Sequence, residues 1–373
     1  IFRHVSGNQV YQCLSVCQLF HESLPEVVTS LEVASGCRHL STLLSHGLPK
    51  LLNLQSLLLH FCPDVVEQLE DLRLASTCLT ELSLSHNPLG CDRAHGEILQ
   101  LTLVRFRELR KLEMCRCRLG SVVDLLLSTL RSMPHLTFLD LANNSLGTRG
   151  ALCLRDWLQD ATALRSLSLG HNSLQPQGAT VIAEAIRSSA EKGMILRELR
   201  LPFNAIGHDG ATDLAKALIK CSALNRLDVE GNVLFAEGGT ALAHALSALT
   251  ELEHLSLAGN QLANGGADAL SSTLPPLVRL TNLNLGWNSF GEQGAEPLLR
   301  CILHLTRLIR LNLAGNQLGS QTVLLTALRD LPTLSDLGLG YNENEPGDVG
   351  KVAAVLCDTR VLNTRSYGVW IDD

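Results

Sequence analysis

The sequence predicts an α/β solenoid: a parallel β-sheet along a concave face, α-helices along a convex face, the whole bent into a horseshoe. Three observations predict it. First, a leucine frame recurs. Leu252, Leu255, Leu257, Asn260 and Leu262 are followed by Leu280, Leu283, Leu285, Asn288 and Phe290, then by Leu308, Leu311, Leu313, Asn316 and Leu318, each step (252 to 280 to 308) being 28 residues. Second, an apolar stripe at i, i+3, i+4 and i+7 lies between successive frames, as in Ala211, Leu214, Ala215 and Leu218, which is the period of a helix with one buried face. Third, 373 residues exceed the roughly 250–300 over which one core keeps growing, a limit that a stack of units in contact only with their neighbours escapes.

Taken in order, residues 1–27 fall outside the frame, and Tyr11-Gln-Cys-Leu-Ser-Val-Cys-Gln-Leu-Phe20 reads as a short helix in an N-terminal cap. Residues 28–343 hold about twelve repeats, beginning at Val28, Leu31 and Val33, passing through Leu54 to Cys62, Leu79 to Asn87 and Leu109 to Cys117, and ending at Leu334 to Asn342. In each repeat the alternation seen at Leu255, Ser256, Leu257 is a strand with one buried face. The following Asn marks a sharp turn, where an inward amide can bond backbone groups the turn leaves unpaired; Cys62 and Cys117 stand in for it twice. Six residues later comes Gly150, Gly178, Gly210, Gly238, Gly266 or Gly294, suiting a close backbone approach just before the helix. The rhythm stretches twice, from Asn87 to Cys117 and from Asn172 to Asn204, the second through Arg187-Ser-Ser-Ala-Glu-Lys-Gly193, which is expected to lengthen the connection from helix to strand. Residues 344–373 form a C-terminal cap, with Asp348-Val-Gly-Lys-Val-Ala-Ala-Val-Leu-Cys357 as a last helix and Val369-Trp-Ile371 as a closing apolar segment.

Composition narrows the function. A net charge of −7, with both signs interleaved, shows no electrostatic footprint for nucleic acid. No run of about 18 apolar residues marks a membrane span. The 12 cysteines include no CxxC pair and no zinc spacing, and they read as reduced thiols of a cytoplasmic protein, with the cytoskeleton and nucleus as alternative addresses. There is no phosphate-binding loop, no dinucleotide fingerprint and no HExxH, so the sequence supports neither an enzyme nor a cofactor or metal site. Leu74-Ala-Ser-Thr-Cys78 with Leu82 loosely matches an adaptor-binding helix, but Leu79 and Leu82 already belong to the frame.

The repeat, 28 residues long with a full helix, resembles the ribonuclease-inhibitor-like subtype of the leucine-rich-repeat superfamily. The resemblance covers about residues 28–343. It implies a non-enzymatic scaffold or adaptor that binds a protein partner through its curved surface, as part of a larger protein or assembly. Two further members of the subtype supply alternatives: a GTPase activator like those of Ran, and the ligand-sensing arm of a NOD-like receptor. The first typically carries a strongly acidic C-terminal stretch, whereas this chain ends Trp370-Ile-Asp-Asp373.

Side chains between the frame leucines should project from the sheet. Among them Glu198, Arg200, Arg226, Asp228 and Glu230 make a charged centre. His254, Asn282, Asn284, Arg310 and Asn312 continue it as a more polar surface, and Trp287 and Tyr341, each one residue before its Asn, border that surface as aromatic anchors. These twelve residues are the expected protein-binding site.

Overall fold

The computed structural model describes residues 29–33, 45, 52–62, 65, 70–74, 78–319 and 331–342. The helices expected at 11–20 and 348–357, and the closing segment at 369–371, lie outside these residues. The chain divides into two compact units, Ile1–Asn172 and Ser173–Asp373.

The first unit carries strands β1 (Ser30–Val33), β2 (Ser56–Leu59), β3 (Glu81–Ser83), β4 (Lys111–Glu113), β5 (Phe138–Asp140) and β6 (Ser166–Ser168). They pair in parallel in sequence order, with the middle leucines in register: Leu31 beside Leu57, then Leu82, Leu112, Leu139 and Leu167. Helices α1 (Arg93–Leu103), α2 (Val123–Leu130) and α3 (Gly147–Leu158) return the chain, and neighbours pack on one another. The stretch between Asn87 and Cys117 absorbs its extra length at the start of α1, where the Asp92 carboxylate accepts the His95 N–H at 2.9 Å.

The second unit repeats the plan with β7 (Glu198–Arg200), β8 (Arg226–Asp228), β9 (His254–Ser256), β10 (Asn282–Asn284), β11 (Arg310–Asn312) and β12 (Asp336–Gly338). Leu199, Leu227, Leu255, Leu283, Leu311 and Leu337 align across it. Its helices are α4 (Gln175–Glu191), α5 (Gly207–Leu218), α6 (Phe235–Leu246), α7 (Ala263–Thr273) and α8 (Gly291–Ile302). The expected longer connection after Arg187 is instead more helix. Ser188, Ser189, Ala190 and Glu191 continue α4, Arg187 reaches Glu191 one turn on, and Gly193 at φ +101° ends the run.

The frame leucines are buried, as are the helix faces opposite them, so each repeat contributes a slab of core between strand and helix. The asparagines sit inside this core and sew the repeats together. The Asn288 Oδ1 accepts the N–H of Asn260 at 3.0 Å, while its Nδ2 donates to Leu257 and Leu285 carbonyls, both at 3.0 Å, and to Gly286 at 3.3 Å. Asn232, Asn260 and Asn316 repeat the pattern in the second unit, as does Asn144 in the first. Where Cys117 stands in this row, its thiol reaches the Leu84 carbonyl at 3.1 Å, and burial pushes the thiol up to about 12. A smaller group thus fills the place with a weaker donor.

The repeated glycines lie elsewhere than expected. Gly210 and Gly294 are inside the first helical turn, not before it. A Cβ on Gly210 would stand 2.9 Å from the Ala179 Cβ, and one on Gly294 would stand 2.8 Å from the Ala267 Cβ. At Gly210, Gly238 and Gly294 the close approach is between helices of adjacent repeats, whereas at Gly150 and Gly266 it is to Leu146 and Leu262 at the start of the same helix. The turn itself is made by three left-handed residues, at one before, one after and three after the Asn, such as Trp287 (φ 58°), Ser289 (φ 54°) and Gly291 (φ 66°). These helices start without a side-chain cap; instead the Gly291 N–H donates to the Asn316 carbonyl at 3.0 Å, and the Ala263 N–H to that of Asn288 at 2.9 Å.

Candidate functional site

The strand alternation that buries Leu227, Leu255, Leu283 and Leu311 turns their neighbours toward the helix-free face of the second unit. There ten of the twelve expected residues line one open groove of about 540 Å³: Arg226, Asp228 and Glu230 from β8 and its end, His254 from β9, Asn282 and Asn284 from β10, Arg310 and Asn312 from β11, and Trp287 and Tyr341 from the turns. Ser256, Asp336, Ala314, Gly338 and Gly340 also line it, with atoms of Leu227, Leu255, Leu283 and Leu311. Glu198 and Arg200 lie beside it on β7, opposite Arg226 and Asp228, and pair with each other at 2.7 Å.

The groove has a graded floor. Along the leading edge of the strands run Arg226, His254, Asn282 and Arg310, in register. One pleat further on are Asp228, Ser256, Asn284 and Asn312, and beyond them the small residues Ala258, Gly286, Ala314 and Gly340. Several acceptors of this surface are engaged within the chain. Glu230 Oε2 accepts from Ser256 Oγ at 3.2 Å and from Asn284 Nδ2 at 3.4 Å. Asp228 Oδ1 accepts the Glu230 N–H at 3.1 Å, and Asn312 Oδ1 accepts that of Ala314 at 3.0 Å. Burial first, then Arg226, holds the His254 imidazole below its ordinary range, so the ring is neutral near pH 7.

The far border is aromatic. The Trp287 ring lies across Gly315, where a Cβ would stand 2.6 Å from it, and meets the Tyr341 ring with centroids 5.2 Å apart. Both rings are more than half exposed, at 53% and 58%. Phe203 lies over Gly231 in the same manner, and in the first unit Phe61 stacks on His86 with centroids 4.1 Å apart. All these residues occupy the position before the Asn, or before Cys62 in the case of Phe61, where three turns of the second unit place Gly231, Gly259 and Gly315 and three of the first place Arg116, Asn143 and His171.

Sequence reasoning found the aromatic anchors but missed their support. The signal was present in the second unit, where that position holds Phe203, Trp287 or Tyr341 in three turns and Gly231, Gly259 or Gly315 in the other three. Other strand residues between the frame leucines are closed off: in the first unit Ser83, Ser85, Ser166 and Ser168 are buried, and His60 Nε2 meets Ser83 Oγ at 2.6 Å.

Gly315→Ala should cost about 1–2 kcal/mol, because φ +67° is unfavourable for a residue with a Cβ, and should also lift Trp287 off its seat. Urea unfolding with the near-UV circular dichroism of the native state checks both effects; an unchanged midpoint and spectrum would contradict the described contact.

Comparison with known proteins agrees with this architecture. A leucine-rich-repeat family pattern matches residues 75–90, 132–154, 161–183 and 248–271. The chain is 34% identical to the ribonuclease inhibitor of Sus scrofa over 143 residues, which is 38% of this chain and 30% of that protein. It is 32% identical over 177 residues to NACHT, LRR and PYD domains-containing protein 5 of Mus musculus, covering 46% of this chain and 15% of that protein. It is 30% identical over 203 residues to the ribonuclease inhibitor of Mus musculus, covering 46% and 43%. The chain thus spans less than half the length of these curated relatives. The frame leucines, the buried asparagine row, the strand–turn–helix unit and these matches together place the chain in the leucine-rich-repeat superfamily, in its ribonuclease-inhibitor-like, helix-backed subtype.

Proposed function

We propose that the chain is a non-enzymatic binding scaffold that engages a protein partner through the groove of its second unit, acting in the cytoplasm. One observation carries the reading: Trp287 and Tyr341 stand exposed in left-handed backbone, at the position that three turns of the second unit give to glycine. Such a conformation costs about 1 kcal/mol or more for a residue with a Cβ, and neither ring repays it by full burial. Bulky exposed aromatics held at a cost beside a floor of small residues are the usual anchors of a protein interface. Among the described residues no helix is long and apolar enough to cross a membrane.

The test is site-specific photo-cross-linking in cells, with the photoreactive residue at Asn284 in the groove and, separately, at Glu296 on α8. A partner captured at position 284 and absent at 296 should then lose affinity with Trp287→Ala by about 2 kcal/mol, roughly thirtyfold. Capture only at 296, or a partner indifferent to Trp287, would remove the reading.

A further inference from the structure

The groove is asymmetric in what it leaves unspent. The groove's acceptor oxygens on Glu230, Asp228 and Asn312 are bonded within the chain. Its donors along the leading edge are not. Among the described residues no hydrogen bond or ion pair engages the side chains of Arg226 or Asn282, and Arg310 has a single contact of 3.7 Å to Asp336. His254 has its Nδ1 buried without a hydrogen-bond partner, which leaves Nε2 as the ring atom presented to the groove. Two guanidinium groups, the Asn282 amide and, in its Nε2–H tautomer, the His254 ring therefore face outward together on four adjacent strands.

We propose that this row receives carboxylates of an acidic segment of the partner protein, whose neighbouring apolar side chain rests on the Trp287–Tyr341 pair. The proposal rests on the interface reading above and adds the chemistry of what is bound.

Planar carboxylates accept two parallel N–H bonds from a guanidinium, and Asn282 and His254 add single donors between the two arginines. Arg226 and Arg310 stand three strands apart, about 14 Å, enough for two acidic residues of one extended segment. The row is bracketed by carboxylates, Glu198 on β7 and Asp336 on β12. A long polyanion such as a nucleic-acid backbone would run into both; a short acidic cluster fits between them. The overall charge of −7 does not oppose this. At physiological salt, screening sets in over about 8 Å, so the local row governs close contact. The diagonal from the middle of the donor row to the Trp287 ring crosses about two strands and four residues of strand length, a span of roughly five extended residues.

The experiment is titration of the full chain with capped synthetic peptides at 150 mM salt, followed by the Trp287 indole N–H resonance and by calorimetry. The first peptide carries two glutamates, a five-residue Gly/Ser spacer and a leucine. The others replace both glutamates by glutamine or by lysine, and an eight-residue oligothymidylate serves as the polyanion. The glutamate peptide should shift the Trp287 resonance and bind at least tenfold more tightly than the glutamine peptide. The double variant Arg226→Met, Arg310→Met should erase that difference, and Arg131→Met, on the first unit, should leave it intact. Equal or tighter binding of the glutamine or lysine peptide, preference for the oligonucleotide, or no shift at Trp287 with any peptide overturns the proposal. These results leave the cross-linking outcome at position 284 untouched, so the interface reading and the carboxylate assignment fail separately.

Discussion

Asn288→Ala should destabilise the second unit by about 3–5 kcal/mol, although the residue touches no solvent and no partner. The side chain takes the Asn260 N–H and donates to the carbonyls of Leu257, Leu285 and Gly286. Alanine keeps the backbone and removes all of them, stranding the Asn260 N–H in a site of 0% exposure, while the Leu257 and Leu285 carbonyls each lose one of two donors and keep the other, from Asn260 Nδ2 and Asn316 Nδ2. The stranded N–H costs about 1–3 kcal/mol and each lost bond to a carbonyl about 0.5–1.5, with partial relaxation of the turn bringing the sum below simple addition. Asn288→Asp should be as harmful, since it keeps the acceptor but loses the donors and buries a charge. Chemical denaturation measures the loss. The buried thiols locate it: burial raises Cys221 to about 11 and Cys301 to about 12, both in the second unit. Their alkylation should accelerate in Asn288→Ala, while Cys117 in the first unit keeps its native rate. Acceleration at Cys117 alone would contradict the account.

Leu257→Ala should cost about 2–5 kcal/mol, the range for a large buried side chain truncated in a core that closes only partly over the void. Leu257 is 1% exposed, below the sheet. Its neighbour Ser256 is turned the other way, where its hydroxyl bridges Glu230 and Asn284 on the groove floor. Ser256→Ala should therefore stay within about 1 kcal/mol, the net worth of a solvent-accessible hydrogen bond. Midpoints from urea unfolding of the two variants compare them directly, and equal losses would mean that the strand faces had been assigned wrongly.

That contrast was legible in the sequence, because strand alternation and the 28-residue offset are set by local geometry shared by every repeat. The same logic found the inward asparagines and, at Ser30–Val33, the first strand of the stack. Features that depend on how far a side chain reaches were not legible. Glu230 extends over two strands to Asn284, and Glu198 turns along its own strand to Arg200, so two residues read as one charged centre serve different neighbours. The added length after Arg187 became helix because nothing in Ser188-Ser-Ala-Glu191 breaks one before Gly193. The glycines of the helix starts were recognised as sites of close approach, but their partner was misread, since only the packing of α4 on α5 and of α7 on α8 shows what they avoid.

The asparagine row also has a direction, and the direction implies an order in time. The turn of one repeat is closed by groups from the next: the Asn260 N–H and the Ala263 N–H both find their acceptors on Asn288. A ribosome delivers Asn288 only after the whole of the repeat between them. Each turn must therefore wait, open and hydrated, for the arrival of its successor, and the nascent chain should gain structure one repeat behind its synthesis. Ribosome-bound chains stalled at successive lengths would show protease protection advancing in steps of 28 residues, each lagging the exit port by one further repeat.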